Sequence, residues 1–428
     1  MKTLSTLLLA LLCCTYCYAQ LADQRMGVII NNGDYIELSR QYPLVKDSLS
    51  PVLKAISEAC IDVASNKPAQ SVEKINYLLK NHVGQLGEGV FGFLGMLTDQ
   101  LCEIGEYAAA ADILQDLIKQ VDQPGFPKEI LGPLQASYRK CNGLRHTPKS
   151  EIVRLATVSE VKIDTQVNGA KNHLYVPVDF QGAHETFIFD TGASRHLLSE
   201  SFAKKHKVKV VADSVLLSGF GTAYTQIGVV DSLRVGDILY RHVVFNIAKD
   251  EDIMPKQVSD SLNYKIDAVL GVEFMKLVGH VDIFPQENLI QFREPSSEPS
   301  AEPNMMFANG LPYVEAFMNN TRLLMSYDTG AKNEGTVVHR FYKDHPADFA
   351  GMELSKESVT RGSFAGMKVV DIYRIPHFPL RIGNKEIALK NFVVEDTETH
   401  YDGTLGLGYF KRCNQITLDF CHMTFAVQ

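Results

Sequence analysis

The sequence predicts two fold classes in one chain, an all-α domain of helical hairpins followed by an all-β region of two similar lobes. Three observations lead to this prediction. Residues 23–150 carry apolar residues three and four apart, the period of an amphipathic helix. After about Leu155 the chain changes to short apolar or alternating runs between Gly, Asn and Asp, which is typical of β-strands. The β part also repeats its own motifs in order.

Length and composition are those of a globular protein. At about 150 residues per domain, 428 residues suggest two to three domains. Apolar residues make up 45% and charged residues 21%, which excludes a largely disordered chain. The formal charge is −8 and no basic block stands out, so we expect no nucleic-acid partner.

Residues 1–19 resemble an export signal. Lys2 precedes the apolar centre Leu7–Leu12, and Cys17-Tyr18-Ala19 resembles a small-x-small cleavage site. The apolar run is too short to span a bilayer, and no later stretch of about eighteen apolar residues follows, so we expect no transmembrane segment in the mature chain. We therefore predict an exported protein, periplasmic or extracellular. A buried first helix is one alternative, and a lipid anchor on Cys13 or Cys14 is another, although neither follows Gly, Ala or Ser.

The helical domain is predicted over 20–154. Ser71–Lys80 and Glu106–Gln120 combine helical spacing with strong helix-forming residues. Gly105-Glu106-Tyr107 and the Ala-rich segment after it resemble the second half of a tetratricopeptide repeat. Only one such half can be recognised in the sequence. The prediction is therefore a helical-hairpin domain that resembles a repeat. Such a domain either binds a protein partner or serves as a structural cap.

The β region is predicted as two duplicated lobes, 155–293 and 304–428, joined by a solvated linker, 294–303, with a proline at every fourth position. Motifs of the first lobe recur in the second in the same order, and the offset changes where loops differ in length. The pairs, with offsets of 138, 138, 147, 135 and 137, are Tyr175-Val176 with Tyr313-Val314, Asp190–Ala193 with Asp328–Ala331, Leu233–Gly236 with Leu380–Gly383, Leu270-Gly271 with Leu405-Gly406, and Asp282 with Asp419.

Each lobe places an apolar strand directly before an Asp-Thr-Gly loop, at Asp190 and at Asp328. Glycine permits close approach of another chain, and a threonine hydroxyl can satisfy buried backbone groups. A single Asp-Thr-Gly is more often an ordinary turn. Two of them at matching places in duplicated lobes indicate a pair of carboxylates that work together.

These motifs resemble the aspartic protease superfamily in its retropepsin-like and pepsin-like forms. The resemblance covers about Leu174 to Val427, and it is carried by Phe189–Ser194, Tyr327–Ala331, Val269-Leu270-Gly271 and Thr404-Leu405-Gly406. It implies an all-β, bilobal acid-protease-type fold with a catalytic dyad of Asp190 and Asp328. It further implies that the loops are supported by Thr191, Gly192, Ser194, Thr329 and Gly330.

The chemistry of such a pair follows from electrostatics. Two carboxylates about 4 Å apart repel by ~4 kcal/mol at an effective dielectric constant near 20. One pKa unit corresponds to about 1.4 kcal/mol, so their titrations separate by roughly three units. One proton is therefore shared over a wide pH range, and the pair can activate a water that attacks a peptide carbonyl. Both lobes lie in one chain, so a monomer suffices for the site.

This mechanism requires no metal and no cofactor, and we predict neither. The sequence has no HExxH, and no cysteines have the spacing of a zinc site. Of eight cysteines, five follow the signal, so they cannot all pair within one chain. Cys413 and Cys421 flank one predicted strand, so a local disulfide there stays open.

A cleft of this kind needs a lid that excludes water. Gly219, Phe220, Gly221 and Tyr224 in the first lobe form a candidate flap, and Arg361–Gly366 occupies a similar place in the second. Phe220 and Tyr224 are candidates for apolar subsites. The alternative is that both segments are ordinary hairpin tips.

Lys332 departs from the family pattern. The family has Ser or Thr at this position, whose hydroxyl bonds the outer carboxylate oxygen, as Ser194 would in the first lobe. Lys332 either faces solvent or lowers the pKa of the nearby carboxylates. The predicted function is an exported aspartic endopeptidase that hydrolyses peptide or protein substrates. The alternatives are a catalytically inactive bilobal protein that binds peptides or serves as a scaffold, and a zymogen whose helical segment covers the cleft.

Overall fold

A computed structural model describes residues 20–123, 128–165, 173–256, 259–260, 264–352, 354–390, 392–397 and 399–428. The predicted export signal, 1–19, lies outside the described residues. The chain divides after Ile104 into two compact units. The last two long helices therefore group with the β region, whereas the sequence placed them in a helical domain ending at residue 154.

The first unit is helical, and apolar side chains such as Met26, Leu38 and Cys60 form a buried core. Two of its helices begin with a proline, Pro51 and Pro68, whose fixed φ suits a first helical position. The helices are α1 (20–31), α2 (Tyr35–Val45), α3 (Pro51–Ala64), α4 (Pro68–Leu86) and α5 (Gly89–Glu103).

The second unit begins with the helix pair α6 (Tyr107–Val121) and α7 (Leu131–Gly143). Helix α6 buries Ala110, Leu114, Leu117 and Val121 at helical spacing. Arg145, just beyond α7, forms an ion pair with Asp112 of α6, 2.6 Å apart. This contact and the apolar face of α6 hold the two helices as a pair.

The first half of the β region forms an eight-stranded sheet in the order β1-β8-β5-β9-β4-β3-β7-β6. Strand β1 lies four residues before the predicted start of the β region, and it pairs with β8. The strands are β1 (Glu151–Arg154), β3 (Tyr175–Phe180), β4 (Ala183–Phe189), β5 (Leu197–Ser199), β6 (Lys209–Ser218), β7 (Thr222–Val235), β8 (Ile238–Ala248) and β9 (Ala268–Leu270). Short helices are α8 (Glu200–Lys205), α9 (Asp250–Ile253) and α10 (Val272–Val278).

The second half forms a ten-stranded sheet in which β16-β17-β20-β15-β21-β14-β13-β18-β19 follow one another and β12 pairs with β13. Its strands are β12 (Met305–Ala308), β13 (Leu311–Met318), β14 (Thr321–Tyr327), β15 (Gly335–Val338), β16 (Ser355–Ser363), β17 (Gly366–Ile375), β18 (Phe378–Ile382), β19 (Lys385–Leu389), β20 (Phe392–Glu395) and β21 (Gly403–Leu405). Its short helices are α11 (His339–Asp344) and α12 (Leu407–Phe410). Turns of 3-10 helix occur at Lys46–Ser48, Lys128–Ile130 and Pro346–Phe349.

A third, five-stranded sheet contains strands from both halves, in the order β2-β11-β10-β22-β23. These strands are β2 (Val158–Lys162), β10 (His280–Phe284), β11 (Leu289–Arg293), β22 (Ile416–Asp419) and β23 (Thr424–Val427). Pairing of β10 with β22 places His280 opposite Asp419, so the two halves share one hydrogen-bonded sheet. The intervening segment 294–304 contains no helix or strand and is largely exposed, as its proline spacing predicts.

Corresponding strands pair in the same way in the two halves. Strand β4 is parallel to β9, and β9 is antiparallel to β5. Strand β14 is parallel to β21, and β21 is antiparallel to β15. Because Asp190 follows β4 and Asp328 follows β14, each Asp lies at the end of a central strand.

Successive side chains of a strand point to opposite faces of the sheet, and this alternation determines which of them enter the main core. Phe187 and Phe189 are fully buried in the main apolar core, whereas Ile188 belongs to a smaller cluster with Tyr175 and Val269.

Within the described residues, no helix is both long and apolar enough to cross a membrane. Cys413 and Cys421 are both free thiols, so no disulfide joins them in this structure.

Candidate active site

The site lies where the loops after β4 and β14 meet. The Asp190 N–H donates to the Leu270 carbonyl at 3.1 Å, and the Asp328 N–H donates to the Leu405 carbonyl at 2.8 Å. Each Asp is thereby fixed to the apolar-apolar-Gly strand beside it. The backbone of both loops is positioned by the sheets, before any side chain is considered.

The two threonines lock the loops to each other. The Thr191 N–H donates to Thr329 Oγ1 and the Thr329 N–H donates to Thr191 Oγ1, each at 3.0 Å. In turn, Thr191 Oγ1 donates to the Tyr327 carbonyl at 2.7 Å, and Thr329 Oγ1 donates to the Phe189 carbonyl at 2.8 Å. Both threonines are fully buried. Four reciprocal hydrogen bonds therefore join residues that are 136 to 140 positions apart.

Close contact of the loops brings the two carboxyl groups together. The N–H groups of Gly192 and Gly330 donate to the Oδ1 atoms of Asp190 and Asp328 respectively, both at 2.8 Å. A Cβ on Gly192 would lie 2.2 Å from Asp328 Oδ1, and one on Gly330 would lie 2.7 Å from Asp190 Oδ2. Only glycine fits at either position, because a side chain would occupy the place of the opposite carboxylate.

The carboxyl groups of Asp190 and Asp328 each lie against the glycine of the opposite loop, and their surroundings favour a shared proton. Burial raises the pKa of Asp190, and the charge of Asp328 raises it further. Burial also raises the pKa of Asp328, against the N–H groups of Gly330 and Ala331 that stabilise its charged form. Two adjacent carboxylates repel each other when both are charged. The pair therefore keeps one proton at pH values above the usual pKa range of an aspartic acid.

Neither Ser194 nor Lys332 gives the carboxyl groups the hydroxyl support that the family pattern implies. In the described part of the chain, no hydrogen bond joins Ser194 to Asp190, so the expected hydroxyl support is missing in the first half. Lys332 is exposed, and Asp328 accepts instead from the N–H groups of Gly330 and Ala331, at 2.8 and 3.1 Å. The amine of Lys332 therefore does not separate the two carboxyl groups.

The charge of Lys332 acts on another side chain, His173. Burial lowers the pKa of the His173 imidazole to about 4, and the charge of Lys332 contributes to this effect. The ring of His173 stacks on that of Tyr264, with centroids 6.4 Å apart. The neutral imidazole of His173 thus lies between the ring of Tyr264 and the charge of Lys332.

The candidate flap forms the turn of the β6–β7 hairpin, and we call Ser218–Tyr224 the first lid. The tip of the β16–β17 hairpin, Arg361–Gly366, is the second lid. The lids touch: the Gly221 N–H donates to the Phe364 carbonyl at 3.4 Å, and Lys368 Nζ lies 5.7 Å from the Phe220 ring centroid. Phe220 is 38% exposed and Tyr224 62% exposed, so Tyr224 faces solvent more than a subsite.

The second lid is also held by a loop of the first half. The Ala365 N–H donates to the carbonyl of Asp252, in α9, at 2.7 Å. Asp252 belongs to the loop that follows β8. Its hydrogen bond to the second lid is a tertiary contact that no local pattern indicates.

Two tyrosine pairs, one in each half, were missed. In the first half, Tyr175 Oη donates to Tyr264 Oη at 2.6 Å, next to a cavity of about 100 Å³ also lined by Ile188. In the second half, the rings of Tyr313 and Tyr401 lie 4.0 Å apart, and burial and the charge of Asp328 raise the pKa of Tyr313. The signal was present, since Tyr264 and Tyr401 are 137 positions apart, the same offset as Asp282 and Asp419.

An ion pair beside each loop was also missed. In the first half, Arg195 Nη1 lies 2.6 Å from Glu273 Oε1, and in the second Arg412 Nη2 lies 2.6 Å from Glu334 Oε1. Burial would raise the pKa of Glu273, but the charges of Arg195 and His196 lower it to about 2. These pairs fix the chain that follows each Asp-Thr-Gly-Ala.

With this geometry in place, the chain can be compared with known proteins. A family model described as aspartyl protease matches residues 176–274. That segment holds Asp190, the first lid and the strand that ends at Leu270. It is an aspartyl protease-like segment. No curated protein matches the chain.

Solved structures share only a distant likeness. Conglutin gamma, a basic 7S globulin from lupine seeds, is 10% identical and covers 65% of this chain and 95% of its own, with a TM-score of 0.41. Basic 7S globulin from soybean gives the same identity and coverage with a TM-score of 0.39. A retropepsin-like aspartic protease from Rickettsia conorii is 14% identical and covers 34% of this chain and 91% of its own, with a TM-score of 0.21. These scores are too low to support a statement about function.

Proposed function

We propose that the protein is an aspartic endopeptidase in which Asp190 and Asp328 form the catalytic dyad. The observation that carries the proposal is the reciprocal hydrogen bonding of the two Asp-Thr-Gly loops, in which each carboxyl group lies against the glycine of the opposite loop. The aspartyl protease family match over 176–274 supports it for the first half. We further propose a bilobal acid-protease fold in which both sheets contribute to one cleft.

The proposed mechanism uses only the residues present. The charged member of the dyad takes a proton from a water held between the carboxyl groups, and that water attacks the peptide carbonyl. The protonated member donates its proton to the developing oxyanion, and the pair later protonates the departing amine. The contacting lids would exclude bulk water and hold the substrate by its backbone.

Substitution of either Asp tests the dyad. Asp190→Asn and Asp328→Asn should each lower the cleavage of an unfolded protein substrate by at least about 100-fold, because each removes one ionisable member. Asp116→Asn, at an exposed position of α6, should leave cleavage unchanged. A statine-type transition-state mimic should inhibit the enzyme, and a chelator should not. Cleavage retained in Asp190→Asn would refute the assignment.

The raised pKa values define a pH dependence. A shared proton is needed, and burial holds it above the usual Asp range, so activity should persist toward neutral pH. Cleavage should decline as pH rises through the raised value, where the pair loses its proton. Rates of peptide cleavage across acidic to alkaline pH measure this profile.

A second candidate function is peptide binding without hydrolysis. Lys332 replaces the expected hydroxyl, and Ser194 makes no hydrogen bond to Asp190 in the described part of the chain. Under this alternative, the mature protein would bind an extended peptide and cleave none at any pH. Binding measured by fluorescence anisotropy beside the cleavage assay separates the two functions.

The remaining parts of the proposal concern location and the helical region. Residues 1–19 would direct export, so the mature protein would act in the periplasm or outside the cell. Processing near Gln20 can be read from the N-terminal sequence of the secreted protein. The helices of the first unit are proposed to bind a protein partner.

A further inference from the structure

Helix α7 lies directly against β6, the strand that leads to the first lid. A Cβ on Gly143 would lie 2.4 Å from the Val211 carbonyl oxygen and 2.7 Å from the Ala212 Cβ. Real side chains do not tolerate such distances to a backbone atom, so the contact depends on glycine. The C-terminal end of α7 and the middle of β6 are therefore in backbone contact.

A second contact joins the same two elements further along the strand. Arg139 Nε donates to the Ser214 carbonyl at 3.0 Å. Ser214 has a φ of 57°, in the left-handed region that a non-glycine residue seldom adopts. Helix α7 thus holds the strand at the residue whose backbone departs most from an extended strand.

The contacts coincide with a break in the hairpin ladder. The β6–β7 register shifts between Val210 and Ala212, and again between Ala212 and Val215. Bulges of this kind bend a strand and increase its twist, so they set the direction of everything beyond them. Regular pairing resumes only at Val215, one residue past Ser214, and then continues to the lid.

The other hairpin lacks this feature. Strands β16 and β17 keep an unbroken register from the pair Ser355–Arg374 to the pair Ser363–Gly366 at the second lid. Of the two hairpins, the one whose ladder is interrupted is also the one that α7 contacts. The interruption creates a place where the outer hairpin can change its angle, and α7 occupies that place.

We propose that α7 is a strut that sets the position of the first lid, with Gly143 and Arg139 as its positioning residues. The strut is itself anchored, because Ala136, Cys141 and Leu144 are buried and Arg145 forms an ion pair with Asp112 of α6. The consequence for catalysis rests on the proposed proteolytic function, since lid position controls substrate access. The mechanical contact does not depend on that function.

Hydrogen exchange of the full-length protein tests the strut, with mass spectrometry of lid peptides as the measurement. Gly143→Ala places a methyl group against Val211, whereas the matched control Gly132→Ala places one on the same helix in open space. Gly143→Ala should speed exchange of the Gly219 and Gly221 amides by at least about tenfold, and Gly132→Ala should leave it unchanged. Arg139→Ala loses a single hydrogen bond and should speed exchange of the same lid amides by about threefold. This variant replaces Gly143→Ala as the test if Gly143→Ala does not fold.

Two results would overturn the proposal. One is unchanged exchange in the first lid while the amides of α7 exchange faster. The other is equal acceleration in the first lid and in the second lid, Arg361–Gly366, because this indicates general loosening. In the cleavage assay, Gly143→Ala should raise KM more than it lowers kcat, since the dyad itself is untouched. Should the wild-type protein cleave no peptide, the proteolytic function fails, but the exchange data still decide whether α7 positions the lid.

Discussion

Removal of the Thr191 hydroxyl should weaken the contact between the two halves of the β region and lower the free energy of unfolding. Thr191→Val keeps the shape of the side chain but loses two hydrogen bonds, one donated to the Tyr327 carbonyl and one accepted from the Thr329 N–H. Both backbone groups would then be buried without a partner, at a cost of about 1–3 kcal/mol each. The free energy of unfolding should fall by roughly 2–6 kcal/mol, a large part of the 5–15 kcal/mol of an ordinary domain.

Chemical unfolding followed by near-ultraviolet circular dichroism measures this loss. The chain has no Trp and 17 Tyr, so the tyrosine signal reports the tertiary structure. Thr191→Ser is the matched control, because it keeps the hydroxyl and loses one methyl group, worth about 1 kcal/mol. If Thr191→Val costs no more than Thr191→Ser, the hydroxyl does not join the halves and the reasoning is refuted.

Two further predictions concern the dyad and the shared sheet. Gly192→Ala would place a Cβ 2.2 Å from Asp328 Oδ1, so peptide cleavage should fall by at least about 100-fold. The control Gly84→Ala adds a methyl group in open space and should leave cleavage unchanged. Normal cleavage by Gly192→Ala would contradict the geometry of the two loops. Hydrogen bonds to Asp282 and Asp419 raise the pKa of His280 to about 9, so its contribution to stability is complete below its usual pKa and is lost as pH rises toward 9. Between about pH 6 and pH 10, the wild type should lose up to about 3 kcal/mol of unfolding free energy more than His280→Gln. Equal losses in the two proteins would show that the imidazole contributes nothing.

The dyad loops illustrate how far local sequence patterns reach. Strand-forming residues such as Phe187–Phe189, followed by Asp-Thr-Gly, predict a strand and a tight loop from neighbours in the chain alone. Recurrence of the same string at Asp328 then predicts two loops of the same shape. The structure places both loops at the ends of equivalent strands, and the four threonine hydrogen bonds follow from that placement.

Side-chain direction beyond the loops could not be predicted in this way. Ser194 lies four residues after Asp190, but in the described residues no hydrogen bond joins its hydroxyl to the carboxyl, and Lys332 is exposed. Ser194 lies beside a residue of the second half, since a Cβ built on Gly310, in the turn between β12 and β13, would be 3.1 Å from the Ser194 Cβ. The family pattern specifies residue types at these positions, and packing specifies their orientation.

Taken alone, the sequence determined the order of the parts: helices, a β region with recurring motifs, and two Asp-Thr-Gly loops. Periodicity and repetition carry this information because each depends on residues that are close in the chain or identical in type. Only the tertiary structure decided that α7 supports the first lid, that Tyr175 bonds Tyr264, and that Asp252 holds the second lid. These contacts join residues 75, 89 and 113 positions apart, and no local pattern encodes a pairing that arises only when the strands between them have folded.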